Sequence, residues 1–336
     1  MKINNLTRRG AVLGAAALAI DTATSRLAWA ESAWPAKQVQ VIVPYPTGGG
    51  ADRISRILFG KLSESLGQSF RIRNLSGPGG THGQRAAAKS NPDGYTLLYD
   101  ASAFSINPLL YSNLSFDYAK DFEPVFLAAL VPNILVVTPS VPVNSVADIV
   151  EMGKNTPRGL NFASSGFGTV QHLSLEMFRL AANTKINHVP YAGGGPALEA
   201  VSAGRVKFFF SNAASSIPLV QSGRLKAIAH TGNGRLTTLP ELPSIKESLA
   251  GFEAYDWNGV FVPTGTPQSV VKQLSTSLDA AARDPQVIAQ LKALNVETRN
   301  NSPSEFRTFV EAERLKWGRL VREANIKQRG YESAAS

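Results

Sequence analysis

The residues best placed to do chemistry are glycines at the ends of strands. Gly48, Gly49 and Gly50 follow the β-branched run Val39-Gln-Val-Ile-Val43 and precede Asp52, where an apolar stripe of Ile54, Ile57, Leu58, Leu62 and Leu66 begins. A turn without side chains that opens a helix leaves backbone N–H groups bare at the positive end of the helix dipole. Such a turn holds an anion by hydrogen bonds alone. No Gly-Lys-Ser/Thr follows, so the turn is not the Walker A type. Two more turns share the pattern, Ser164-Ser-Gly-Phe-Gly-Thr169 and Pro190-Tyr-Ala-Gly-Gly-Gly195. Three such turns point to one ligand cleft fed by several strand ends.

Bond-making chemistry finds little support. Gly-x-Ser-x-Gly does not occur around Ser164 or Ser165. The four histidines (82, 172, 188 and 230) include no His-Glu-x-x-His, so a zinc site is not expected. His172 and His188 are either structural or part of a pocket wall. Asp100, Asp117, Asp121 and Asp256 are unpaired in sequence, and Asp52 reads as a helix cap rather than a base. Gly77-x-Gly79 with Asp100 further on imitates a dinucleotide fingerprint, but His82 stands where the third glycine belongs. Tyr191 and Trp257 lie beside turns, where either ligand contact or plain core would suit them. No catalytic residue, cofactor or metal is expected.

The elements that must position these turns alternate strand and helix, the mark of a largely parallel α/β sheet. Strands are expected at 39–43, 70–75, 95–99, 160–163, 186–189, 206–210 and 225–230. The run Val125–Val137 reads as two strands broken at Pro132, and the chain is expected to return near Asn258–Pro263. Ser145-Val-Ala-Asp148 and Ser302-Pro-Ser-Glu305 are capping boxes that open helices. On the helix after Thr169, the expected apolar face is Leu173, Met177 and Leu180.

The chain has 336 residues, 43% of them hydrophobic and 18% charged, which suits folded domains rather than disorder. Lys2, Arg8 and Arg9 precede the apolar Gly10–Ile20, and Ala28-Trp29-Ala30 gives a cleavage pattern, so residues 1–30 read as an export signal peptide. That segment carries Lys2, Arg8, Arg9 and Arg26 against Asp21, so its removal lowers the net charge from +9 to +6. The remaining excess is spread out, which excludes a nucleic-acid surface and suits a small anionic ligand. The absence of cysteine rules out disulfides and thiolate metal sites.

Several segments carry a family likeness: Val43-Pro-Tyr-Pro-Thr-Gly-Gly-Gly-Ala-Asp52, Pro92-Asp-Gly-Tyr-Thr-Leu-Leu98, Asp121-Phe-Glu-Pro-Val125, Asn161–Thr169, His188–Gly195 and Phe261–Pro267. With them the chain resembles the extracytoplasmic solute-binding proteins of tripartite tricarboxylate transporters, the TctC-like or Bug family, from about Trp34 to Ile326. The resemblance implies a two-domain α/β fold of periplasmic-binding-protein type with a ligand cleft between the domains. Residues 31–131 with 258–336 would form one domain and 132–257 the other. It implies a periplasmic receptor, monomeric, that passes a small organic carboxylate to the transporter's membrane subunits and does no catalysis. The site residues so assigned are Tyr45, Thr47, Gly48, Gly49, Ala51, Asp52, Ser102, Ser164, Gly166, Gly168, Thr169, His172, Tyr191, Ser211, Asn212 and Trp257. Ser211 stands where many members carry Asp, so a ligand without an amino group is expected unless Asp100 or Asp256 faces the cleft. Two rival readings are a periplasmic hydrolase of a carboxylate or its ester and a ligand-sensing partner of a signalling receptor.

Overall fold

Twelve of the sixteen residues from Phe122 to Val137 are hydrophobic and nearly all are buried, and this strand is the axis of the molecule. The structure is a computed structural model that describes residues 34–327 and 329–330; the expected signal peptide, 1–30, lies outside them. The strands are β1 (Val39–Val43), β2 (Phe70–Asn74), β3 (Thr96–Ala101), β4 (Tyr111–Ser112), β5 (Phe122–Val137), β6 (Leu160–Ser164), β7 (Ile186–Pro190), β8 (Phe208–Asn212), β9 (Lys226–His230), β10 (Tyr255–Pro263) and β11 (Arg329–Gly330). The helices are α1 (Gly50–Leu66), α2 (Thr81–Ala88), α3 (Ala103–Leu110), α4 (Val146–Lys154), α5 (Val170–Ala181), α6 (Gly194–Ser202), α7 (Ala213–Gln221), α8 (Gln268–Ala282), α9 (Pro285–Ala293) and α10 (Pro303–Glu323).

The main sheet runs β2-β1-β3-β10-β5-β8-β6-β7, with β9 also on β5. β1 pairs in parallel with β2 and β3, and β6 with β7 and β8, as strands joined by helical crossovers must. β10 and β5 run antiparallel to their neighbours and join the two parallel sets.

Pro132 does not break β5. Tyr255 of β10 pairs opposite Pro132, and from Asn133 onward β5 pairs with β8 and β9 instead. A proline cannot donate to a ladder, so it is tolerated where one ladder ends and the next begins. The expected two strands are therefore one, with a change of partner at the proline.

Both capping boxes form. Ser145 caps Asp148 and Ser302 caps Glu305, each with the reciprocal side-chain bond. One apolar cluster gathers Trp257, Phe261, Phe306, Phe104 and Phe122 around β10, and another gathers Phe162, Phe178, Phe208, Phe210 and Phe252 around β8. Leu180 is 36% exposed, contrary to its expected place on the apolar face of α5; Leu173, Leu175 and Phe178 take that face.

Candidate functional site

The first turn is built by Asp52. Its Oδ2 accepts the Gly48 N–H at 2.8 Å, and its carboxylate also takes Arg56 and the Asn74 amide. Burial pushes this carboxyl up, but the Arg56 guanidinium, the Gly48 N–H and Asn74 together hold it below the usual range. Asp52 thus closes the turn on itself, and Gly48 supplies the φ of +84° the closure needs. The first bond inside α1 runs from Arg53 N to Gly49 O. The N–H groups of Gly50, Ala51 and Asp52 consequently have no partner within the helix. Thr47 is exposed, with Oγ1 3.1 Å from Asn74 Oδ1.

Tyr45 leaves β1 half-buried and donates to Asp100 Oδ1 at 2.7 Å. Asp100 is 0% exposed and also accepts Ala101 N and, at 2.7 Å, Gln84 Nε2. Burial pushes its carboxyl up to about 7 against the pull of those three donors, and Asp256 adds to the rise. Gln84 Oε1 in turn receives Tyr118 OH and Asn107 Nδ2.

The second turn starts α5. Thr169 caps the helix through His172 N, and Gly166 and Gly168 take φ of +125° and +78°. His172 Nδ1 accepts Gly168 N, and the ring stacks on His188 with centroids 4.0 Å apart. Ser164 Oγ sits 2.5 Å from His188 Nε2 and bonds both the N–H and the carbonyl of Gly166. A serine beside a histidine is what the rival hydrolase reading requires. This serine is fully buried and its hydroxyl is already engaged on three sides, so it pins the turn. Tyr191 is half-buried, and its N–H donates to Ser164 O. Tyr111 OH holds the same turn from α3's end by donating to Phe167 O.

The two turns converge through Asp256, which sequence reasoning did not place. Its Oδ2 accepts Asn212 Nδ2 at 2.8 Å and Gln171 Nε2 at 3.2 Å, so it joins the start of α5 to the cap of α7. Burial raises its carboxyl above the ordinary range against the donors Asn212, Gln171 and Ser102. Asn212 in turn lies against the first turn: a Cβ on Gly50 would come 2.6 Å from Asn212 Oδ1. Gly50 was not among the expected residues, and its need for a hydrogen side chain is invisible without the partner loop. Arg53 crosses the same gap to Ala214 O, and Pro46 lies against Gly193 of the third turn. Pro46, Gly50 and Arg53 thus set the first turn against Gly193, Asn212 and Ala214, and Asp256 ties Asn212 to Gln171 at the start of α5.

Three expected residues do other work. Trp257 is 0% exposed, with its ring edge-on to Phe306 and Phe309, because alternation on β10 sends it to the face opposite Asp256. Ser102 donates its hydroxyl to Tyr255 O and accepts Trp257 N, so it braces β10 beside Asp256, which it also borders. Ser211 is buried with Oγ on the carbonyl of Asn212, and it is Asn212 that meets the first turn. Among the described residues no cluster of three His, Cys, Asp or Glu could hold a metal, and no helix is long and apolar enough to cross a membrane.

The family described as the tripartite tricarboxylate transporter family receptor matches residues 54–326. The Protein BugT of Bordetella pertussis is 32% identical over 328 residues, covering 96% of this chain and 99% of its own. The solved structure of R. palustris Rpa4515 with adipate is 36% identical, with a TM-score of 0.85 over 88% of this chain and 100% of that one. MatC from Rhodopseudomonas palustris with bound malate is 28% identical, with a TM-score of 0.80 over 86% and 100%.

Proposed function

The chain belongs to the tripartite tricarboxylate transporter family of receptors, and we propose that it takes up a small organic carboxylate between the α1 and α5 helix starts. It is a binding protein, not an enzyme. The observation that carries the site is the convergence of both glycine turns on Asn212, Gln171 and Asp256. The N–H groups of Gly50, Ala51 and Asp52 on one side, and of Val170 and Gln171 on the other, are helix-start donors suited to a carboxylate. Relatives solved with adipate and malate support a ligand of that class.

In this reading the chain is exported, loses residues 1–30, works in the periplasm as a monomer, and hands its ligand to the transporter's membrane subunits. Residues 31–131 with 258–336, and 132–257, act as two bodies that close on the ligand about the strand crossings near Pro132 and Trp257.

Gly50→Ala and Gly166→Ala test the site. The first adds a methyl where Asn212 lies, and the second forces a side chain onto a φ of +125°. Each should weaken carboxylate binding at least tenfold, about 1.4 kcal/mol, in a protein that keeps its helical circular dichroism. Unchanged affinity in both would move the site elsewhere.

A further inference from the structure

Asp256 brings a carboxyl to the proposed cleft, and among the described residues no cation is paired with it. Neither Asp256 nor Asp100 has a Lys, Arg or His within ion-pair distance among the described residues. The nearby cations are committed elsewhere: Arg56 to Asp52, and Arg53 to the carbonyls of Gly48 and Ala214. The two acids differ in access. Asp100 is fully buried and enclosed by Tyr45, Gln84 and Ala101, whereas Asp256 is only half-buried.

The bonding around Asp256 fixes what its oxygens do. Asn212 Oδ1 already caps α7 by accepting Ala214 N at 3.0 Å, so the Asn212 nitrogen must be the atom facing Asp256. Gln171 Nε2 is shared between Asp256 Oδ2 and Asn133 Oδ1. Oδ2 is therefore an acceptor for two amide donors, the arrangement that supports an ionised carboxylate. Beside it the Asn133 Nδ2, on a side chain with no exposure, has no hydrogen-bond partner among the described residues. A half-buried carboxylate with only neutral donors carries a desolvation cost that an incoming cation would offset.

Resting on the carboxylate reading above, we propose that Asp256 receives the protonated amine of a ligand whose carboxylate lies on the helix-start amides, so that the substrate class is amino acids or other amino carboxylates. The ligand is then a zwitterion lying between a backbone anion cradle and one side-chain anion. This reverses the expectation drawn from Ser211, because the acid that accepts an ammonium comes from β10 and not from β8.

The test is calorimetric titration of the full mature chain with matched pairs: L-glutamate and glutarate, L-aspartate and succinate, 4-aminobutyrate and butyrate. The amino member of at least one pair should bind at least tenfold more tightly at pH 7.5, and Asp256→Asn should abolish that preference. The wild-type comparison stands even where the variant does not fold. If an acid of the panel binds but its amino partner binds no better, this inference is overturned and the carboxylate reading survives. Tighter diacid binding as pH falls, the mark of a protonated Asp256, would overturn it equally. If no member binds, the carboxylate reading itself fails and the inference with it.

Discussion

Replacing Asp100 with Asn should change how stability depends on pH. The native carboxyl is raised from an ordinary 3.8 to about 7, so between those values the folded protein holds a proton that the unfolded chain releases. Folding is then favoured at low pH, and this contribution is lost as pH rises toward 7. The displacement from 3.8 to about 7 corresponds to about 4 kcal/mol in all. About 2.5 kcal/mol of it falls between pH 5 and pH 8, nearly all below pH 7. The variant keeps an acceptor for Tyr45 and Ala101 but sets its amide nitrogen against Gln84 Nε2, a mismatch of about 1–3 kcal/mol that does not vary with pH. His230 contributes in the opposite sense. Burial lowers its imidazole, so its share is lost as pH falls below 6.5, but that share is common to both proteins and cancels in the difference. Urea unfolding of the unliganded wild type and Asp100→Asn at pH 5, 6, 7 and 8 measures the effect. The wild type should lose about 2.5 kcal/mol relative to the variant across that range. Two curves that run parallel to within about 0.5 kcal/mol would refute the assignment of a displaced proton to Asp100.

Trp257→Phe should destabilise the fold by about 1–3 kcal/mol while leaving carboxylate affinity within twofold, since its ring packs on Phe306 and Phe309; a tenfold loss of affinity would return it to the site. N-terminal sequencing of periplasmic protein should begin at Glu31, and a soluble exported form that retains Arg8 and Arg9 would count against the leader assignment. Small-angle scattering should give a smaller radius of gyration with saturating ligand, and an unchanged profile with proven binding would exclude closure.

The parts of this molecule legible in the sequence are those written by neighbouring residues. Ser145 with Asp148 and Ser302 with Glu305 start helices where a capping box requires, and the glycine turns at 48–50 and 166–168 fall between the expected strands and helices. Pro132 shows where such reading stops. Its place in an unbroken strand depends on the ladder to β10 ending opposite it and the ladder to β8 starting one residue later, a fact of pairing that the local sequence does not carry. The polar centre is hidden for the same reason. Gln84, Asp100, Gln171, Asn212 and Asp256 come from five separate elements, and no spacing connects them. Asn212 was visible as a residue beside a turn; its neighbour Ser211 drew equal weight only because alternation along β8 had no fixed phase until its partners were known.

Hydrogen exchange with and without the tightest-binding acid of the calorimetric panel tests the central claim directly. The amides of Gly50–Asp52 and of Val170 and Gln171 should both slow on binding, because one carboxylate between two helix starts protects donors on each. Protection at only one of these segments, or confined to the groove between Leu225–Ile228 and Leu239–Pro243, would contradict capture between the two turns.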